Sequence, residues 1–121
     1  MESILQSVKK LLGITPEYTA FNVDITMHIN SVFMILTQLG VGPSEGFSII
    51  DDTAVWTDFL PETDKNSEPV KSYMNLKVKT LFDPPASSIV MEAMNRMINE
   101  FEWRMTTQAE LDRKEVNQNG K

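Results

Sequence analysis

Few residues of this chain have side chains able to do covalent or acid–base chemistry. Cysteine is absent, which excludes disulfides, thiolate metal sites and cysteine nucleophiles. The single histidine, His28, cannot by itself build a catalytic triad or a multi-histidine metal site. Its place on the apolar stripe of a predicted helix is typical of a packed, hydrogen-bonded residue rather than of a ligand or a base.

The carboxylates do not form a recognisable site either. Asp51, Asp52 and Asp58 are the one close group outside predicted helix pairs. A calcium loop needs alternating oxygen ligands, a glycine at the turn and a bidentate glutamate at its twelfth position, and this segment lacks that order. The glycines of residues 40–46 are not followed by the Lys–Ser/Thr pair of a phosphate-binding loop. We therefore expect no enzyme activity, no metal and no cofactor.

Negative charge is concentrated in one stretch, residues 45–68, which we call the acidic segment. It holds seven acids against the single base Lys65, whereas the remaining residues hold ten acids and ten bases. The whole net charge of −6 therefore arises here. Because nucleic acid is gripped by clustered Lys and Arg, this distribution predicts repulsion of nucleic acid or contact with a basic protein surface.

Apolar residues recur at helical spacing and predict an all-α fold, a small bundle of about four main helices. A loop and a short helix are expected between the second and third of them, because Gly and Pro cluster at residues 40–46. No apolar run is long enough for a membrane helix, and no signal peptide is expected at the N-terminus. The expected elements are helices at residues 2–12 and 22–39, a loop at 40–48, a short helix at 54–60 capped by Thr53, a helix at 67–82 and a last helix from 87 or 88.

The last predicted helix carries an apolar face and one aromatic residue that does not fit it. Trp103 lies two positions from Phe101, so the two rings cannot share a helix face, and an exposed Trp suggests an interface anchor. From Thr106 the chain is polar, so we expect a domain at 1–105 and a tail at 106–121 that is a frayed helix or disordered. The side chains expected to be buried on this helix are Ile89, Val90, Met94, Met97, Ile98, Phe101 and Met105.

Three stretches resemble the head–tail connector (adaptor) proteins of long-tailed bacteriophages and prophages. They are ESILQSVKKLLGI at 2–14, the run from 24 to 60 that contains TQLGVGP, and the run from 70 to 105. The FDPP turn (82–85) and the NEFEWRM end (99–105) resemble one subgroup that infects Gram-positive hosts.

The resemblance implies a structural virion protein at the head–tail junction, made in the host bacterial cytoplasm. About twelve copies would form a ring beneath the portal that extends the DNA channel and joins head to tail, with the portal and a tail-side completion protein as partners. DNA would pass without specific binding, and no membrane is involved. The residues expected to line the channel are Glu45, Asp51, Asp52, Asp58, Glu62 and Asp64. Those expected to contact a neighbouring subunit or the portal are Trp103, Met105, Leu111 and Val116.

The residues by themselves leave another interpretation open. The chain could be a different non-catalytic, phage- or prophage-encoded helical module that binds a single partner. Solution mass as a function of concentration, and co-purification with a portal, would distinguish the two.

Overall fold

The computed structural model describes residues 2–119, and the side chains of residues 2–115. Within these residues the chain is all-α, as the periodicity predicts, with four main helices and one short one. None of these helices is long and apolar enough to cross a bilayer. In chain order they are α1 (Ile4–Leu11), α2 (Asn22–Gln38), α3 (Trp56–Phe59), α4 (Ser67–Phe82) and α5 (Ser88–Asn119).

The helix ends follow from local chemistry. The Ser3 hydroxyl caps α1 by accepting a hydrogen bond from the Gln6 amide at 3.2 Å. Beyond α1 and α2 the chain turns at Gly13 and Gly40, which both have a positive φ. The short helix α3 starts later than predicted. Asp58, and not Thr53, caps its start, because the Asp58 carboxylate accepts a hydrogen bond from the Val55 amide.

The helix α4 lies between α2 and α5 and packs against both, while α1 closes the bundle against α2 and α4. Tyr73 and Met74 of α4 are fully buried at its centre, together with Ile29, Val32 and Phe33 of α2. The end of α2 also comes near α5, where Gly40 lies against Ala109 and Arg113.

The loop after α2 runs back along that helix and is fastened to it. The Asn30 side chain both donates to the Ile49 carbonyl at 2.9 Å and accepts from the Ile49 amide at 2.8 Å. Phe47 packs edge-on against Phe33, at 4.9 Å between ring centroids. The backbone then pairs with the start of α1, where the Ile4 amide donates to the Ala54 carbonyl at 2.9 Å.

The last helix differs from the sequence prediction in how much of it is buried. Ile98 and Met105 are in the core, but Ile89, Val90 and Met97 are exposed. Their burial was wrongly predicted, because the core covers only one side of α5, the side that carries Ile98 and Met105. The predicted boundary at residue 105 falls inside the continuous helix α5, and a separate tail after it stays a prediction.

Candidate functional site

The acidic segment is a surface of this fold. Glu45, Asp51, Asp52, Asp58 and Glu62 are all exposed, and Asp64 is half-buried. Among the described residues no group of His, Cys, Asp and Glu is arranged to hold a metal ion. Five of the six predicted channel-lining side chains are therefore accessible at the surface of the subunit.

Local hydrogen bonds fix several of these carboxylates. Asp51 accepts from the Thr53 hydroxyl at 2.6 Å and from the Thr53 amide at 2.9 Å, and these bonds, the hydroxyl first, hold the pKa of Asp51 below its usual value. Asp52 accepts from the Gln6 side chain at 3.1 Å, which ties the loop to α1. Asp51 is therefore a permanent negative charge at neutral pH.

Asp64 lies at the other end of the segment, near α5. It accepts from the Asn66 amide at 2.8 Å, and the buried Asn66 side chain in turn donates to the Met105 carbonyl at 3.2 Å. Asp64 and Asn66 also line a shallow depression with Asp112 and Arg113 of α5. The acidic segment thus reaches from the start of α1 to the second half of α5.

The four side chains of α5 that were predicted to contact a partner differ in how far they are exposed. Trp103 is 66% exposed and Leu111 is 52% exposed, while the ring of Phe101 packs against the core. Met105 is fully buried, since it lies on the covered side of α5, one turn beyond Phe101 and two turns beyond Ile98. In this fold its side chain is not available to a partner. The side chain of Val116 lies outside the described residues.

A second apolar surface, not predicted from the sequence, lies on α2. Val23, Met27 and Met34 point away from the core, and Ile50 of the following loop lies next to Val23 and Met27. Met27 is 63% exposed and Ile50 is 89% exposed. We call these four residues the α2 face. The signal was present in the sequence, since α2 has apolar residues on both sides, which is typical of a helix covered on both.

A third surface is a groove on α5. Ala93, Met97 and Phe101 supply apolar side chains, and Arg96, Glu100 and Arg104 border them. Arg104 donates to Glu100 at 2.8 Å, whereas Arg96 has no ion-pair partner among the side chains of residues 2–115. We call these six residues the α5 groove.

A family model described as phage connector protein matches residues 4–112, which is most of the chain. The chain belongs to this family of phage connector proteins. The family supports a structural, non-catalytic role as a head–tail connector, and hence a place in the virion. Comparison with curated proteins found no match, and comparison with solved structures found none.

The histidine of this connector lies where its sequence position indicates. His28 is half-buried, and its ring packs edge-on against Phe82 with 6.3 Å between centroids. Phe82 also packs against Phe21, so His28 belongs to the contact between the start of α2 and the end of α4. In this connector His28 has a packing role.

Proposed function

We propose that this connector assembles as a ring of about twelve copies beneath the portal, extends the DNA channel and joins the head to the tail. The portal, a tail-side completion protein and further copies of the chain are its partners, and DNA passes without specific binding. The FDPP turn and the NEFEWRM end of the sequence favour the subgroup from phages and prophages of Gram-positive hosts.

The exposed carboxylates of the acidic segment carry the channel part of this proposal. A duplex must move past the wall without adhering, and phosphates are repelled by fixed negative charge within a Debye length of about 8 Å at physiological salt. Glu45, Asp51, Asp52, Asp58, Glu62 and Asp64 are proposed to face the channel or its mouth, where each copy repeats the same charges.

Exposed apolar side chains support the assembly part. Trp103 and Leu111 of α5 are proposed to contact the portal or a neighbouring copy, because large apolar side chains in a polar setting are typical of interface anchors. The polar chain after residue 105 is proposed to dock on the same partner. These contacts would order it there.

Electron microscopy of the chain mixed with the portal protein of the same phage tests the proposal. We expect a ring of this chain coaxial with the portal, with the acidic segment toward the axis. A ring that has Asp51, Asp52 and Asp58 on its outer wall would refute the channel assignment. Binding of one chain to an unrelated partner, without a ring, would favour the single-partner module instead.

A further inference from the structure

We propose that the α2 face of one copy packs into the α5 groove of the next copy. This inference rests on the proposed ring and names the two surfaces that form its repeated contact. It identifies the occupant of the α5 groove as a second copy of this chain rather than the portal.

The first support is the placement of the two surfaces on one subunit. α4 lies between α2 and α5, and the α2 face and the α5 groove are each on the side of their helix that the core does not cover. A contact between two different surfaces of identical copies is head-to-tail, and such contacts close into rings when the rotation between copies allows it. Two unlike faces therefore suit a ring, whereas a single self-complementary face would give a dimer.

The second support is the match of polarity. Val23, Met27 and Met34 lie at helical spacing on the α2 face with Ile50 beside them, and all four side chains are apolar. The α5 groove presents Ala93, Met97 and Phe101, which are apolar too. Methionine on both surfaces favours a close fit, because its unbranched side chain adapts to the opposing surface.

The third support is charge. Between Leu11 and Asp64 the sequence contains no Lys or Arg, so the charged residues of α2 and of the loop after it are all acids. Asp24 lies one turn before Met27, and Asp51 and Asp52 border the face from the loop. Arg96, Glu100 and Arg104 border the α5 groove and leave it a net positive charge, so Arg96, which is not paired with Glu100, attracts these acids. Asp51 and Asp52 would then lie at the seam between copies, which opens on the proposed channel wall.

Chemical cross-linking tests the pairing, since the chain has no native cysteine and each introduced thiol is unique. The variants M27C and M97C are prepared separately, mixed, assembled on the portal and treated with a short bismaleimide. We expect a covalent dimer from the mixture and none from either variant alone, because a head-to-tail contact never brings identical positions together.

A matched control replaces M27C by L11C. Leu11 is as exposed as Met27 but lies at the end of α1, outside both surfaces. The mixture of L11C and M97C is expected to stay monomeric under denaturing conditions.

The possible failures are distinguishable. A portal-bound ring seen by microscopy that gives no dimer from M27C with M97C overturns this pairing and leaves the proposed function standing. A dimer from M97C alone shows that two α5 grooves face each other, which also overturns it. If no ring forms on the portal, both the proposed function and this pairing are refuted.

Discussion

The phenol of Tyr73 donates a 2.7 Å hydrogen bond to a carboxylate oxygen of Glu102. The bond joins α4 to α5 across 29 positions of sequence, and the ring of Tyr73 is fully buried beneath it. Burial, and after it the hydrogen bond and the charge of Glu102, raise the pKa of Tyr73 well above its ordinary value. Tyr73 in the folded chain therefore keeps its proton at a pH at which an exposed tyrosine loses it.

The raised pKa gives stability a defined dependence on pH. Below pH 10 the phenol is neutral in both the folded and the unfolded chain, and its contribution is fully present. As the pH rises above that value the unfolded chain releases the proton and the folded chain keeps it, so the free energy of unfolding falls. We expect the free energy of unfolding of the Tyr73→Phe variant to be about 1.5–3 kcal/mol lower than that of wild type at pH 7. It should also fall less steeply as the pH rises above 10.

Urea denaturation between pH 7 and pH 11 measures both effects. The control is Tyr18→Phe, because Tyr18 is half-exposed and lies in the loop before α2. An alkaline decline that is equal in wild type and Tyr73→Phe would show that Tyr73 does not cause it.

Replacing Gly42 by alanine should destabilise the loop after α2 for two reasons. Gly42 has φ of +87°, which is strained for any residue with a Cβ, and the added methyl would overlap the ring of the buried Phe59. The strain costs about 1–2 kcal/mol and the overlap about 1–3 kcal/mol more. The matched control is Gly13→Ala, where φ is +79° but no atom lies within 4 Å of the new methyl.

Urea denaturation of the two glycine variants separates the contributions. Gly13→Ala reports the backbone strain alone, and the difference between the variants reports the overlap with Phe59. Equal losses of free energy would mean that the Phe59 ring moves aside without cost.

Reversing charge in the acidic segment should make the assembled ring retain DNA. Glu45, Glu62 and Glu68 are exposed and do not cap a helix, so Glu45→Lys, Glu62→Lys and Glu68→Lys together should leave the fold intact. We expect filter binding to show salt-dependent retention of duplex DNA by the portal-bound variant and none by wild type.

The control for the acidic segment carries the same change of net charge elsewhere, as Glu17→Lys, Glu92→Lys and Glu110→Lys. All three positions are exposed and lie outside residues 45–68. Equal retention of DNA by both variants would attribute the effect to net charge and argue against a channel lining.

Truncating Trp103 should weaken assembly and spare the fold. The side chain is mostly exposed, so Trp103→Ala is expected to change the free energy of unfolding by less than about 0.5 kcal/mol. Loss of an interface anchor costs about 2 kcal/mol or more, which sedimentation of the mixture with the portal would detect. Leu11→Ala is the control, since Leu11 is equally exposed. A similar loss of assembly in Leu11→Ala would show that Trp103 has no specific role in the contact.

Much of the fold could be predicted from the sequence because the interactions that set it are local. The bounds of α1, α2 and α4 follow from helical periodicity and from turns such as Gly13, Gly40 and the Pro84–Pro85 pair. The opposite orientation of Phe101 and Trp103 also follows from helix geometry alone, and the structure confirms it. Which apolar side chains are buried was harder to predict, and Ile89, Val90 and Met97 were wrongly placed in the core.

The sequence by itself determined the helices, their ends and the concentration of acid between residues 45 and 68, because each depends on neighbours within a few positions. Only the tertiary structure decided which faces remain open. A helix can carry apolar residues on two sides, as α2 does, and the sequence does not say which side another helix covers. The packing of α4 between α2 and α5 covers their inner sides, and it leaves Met27 and Met97 exposed on the outer ones.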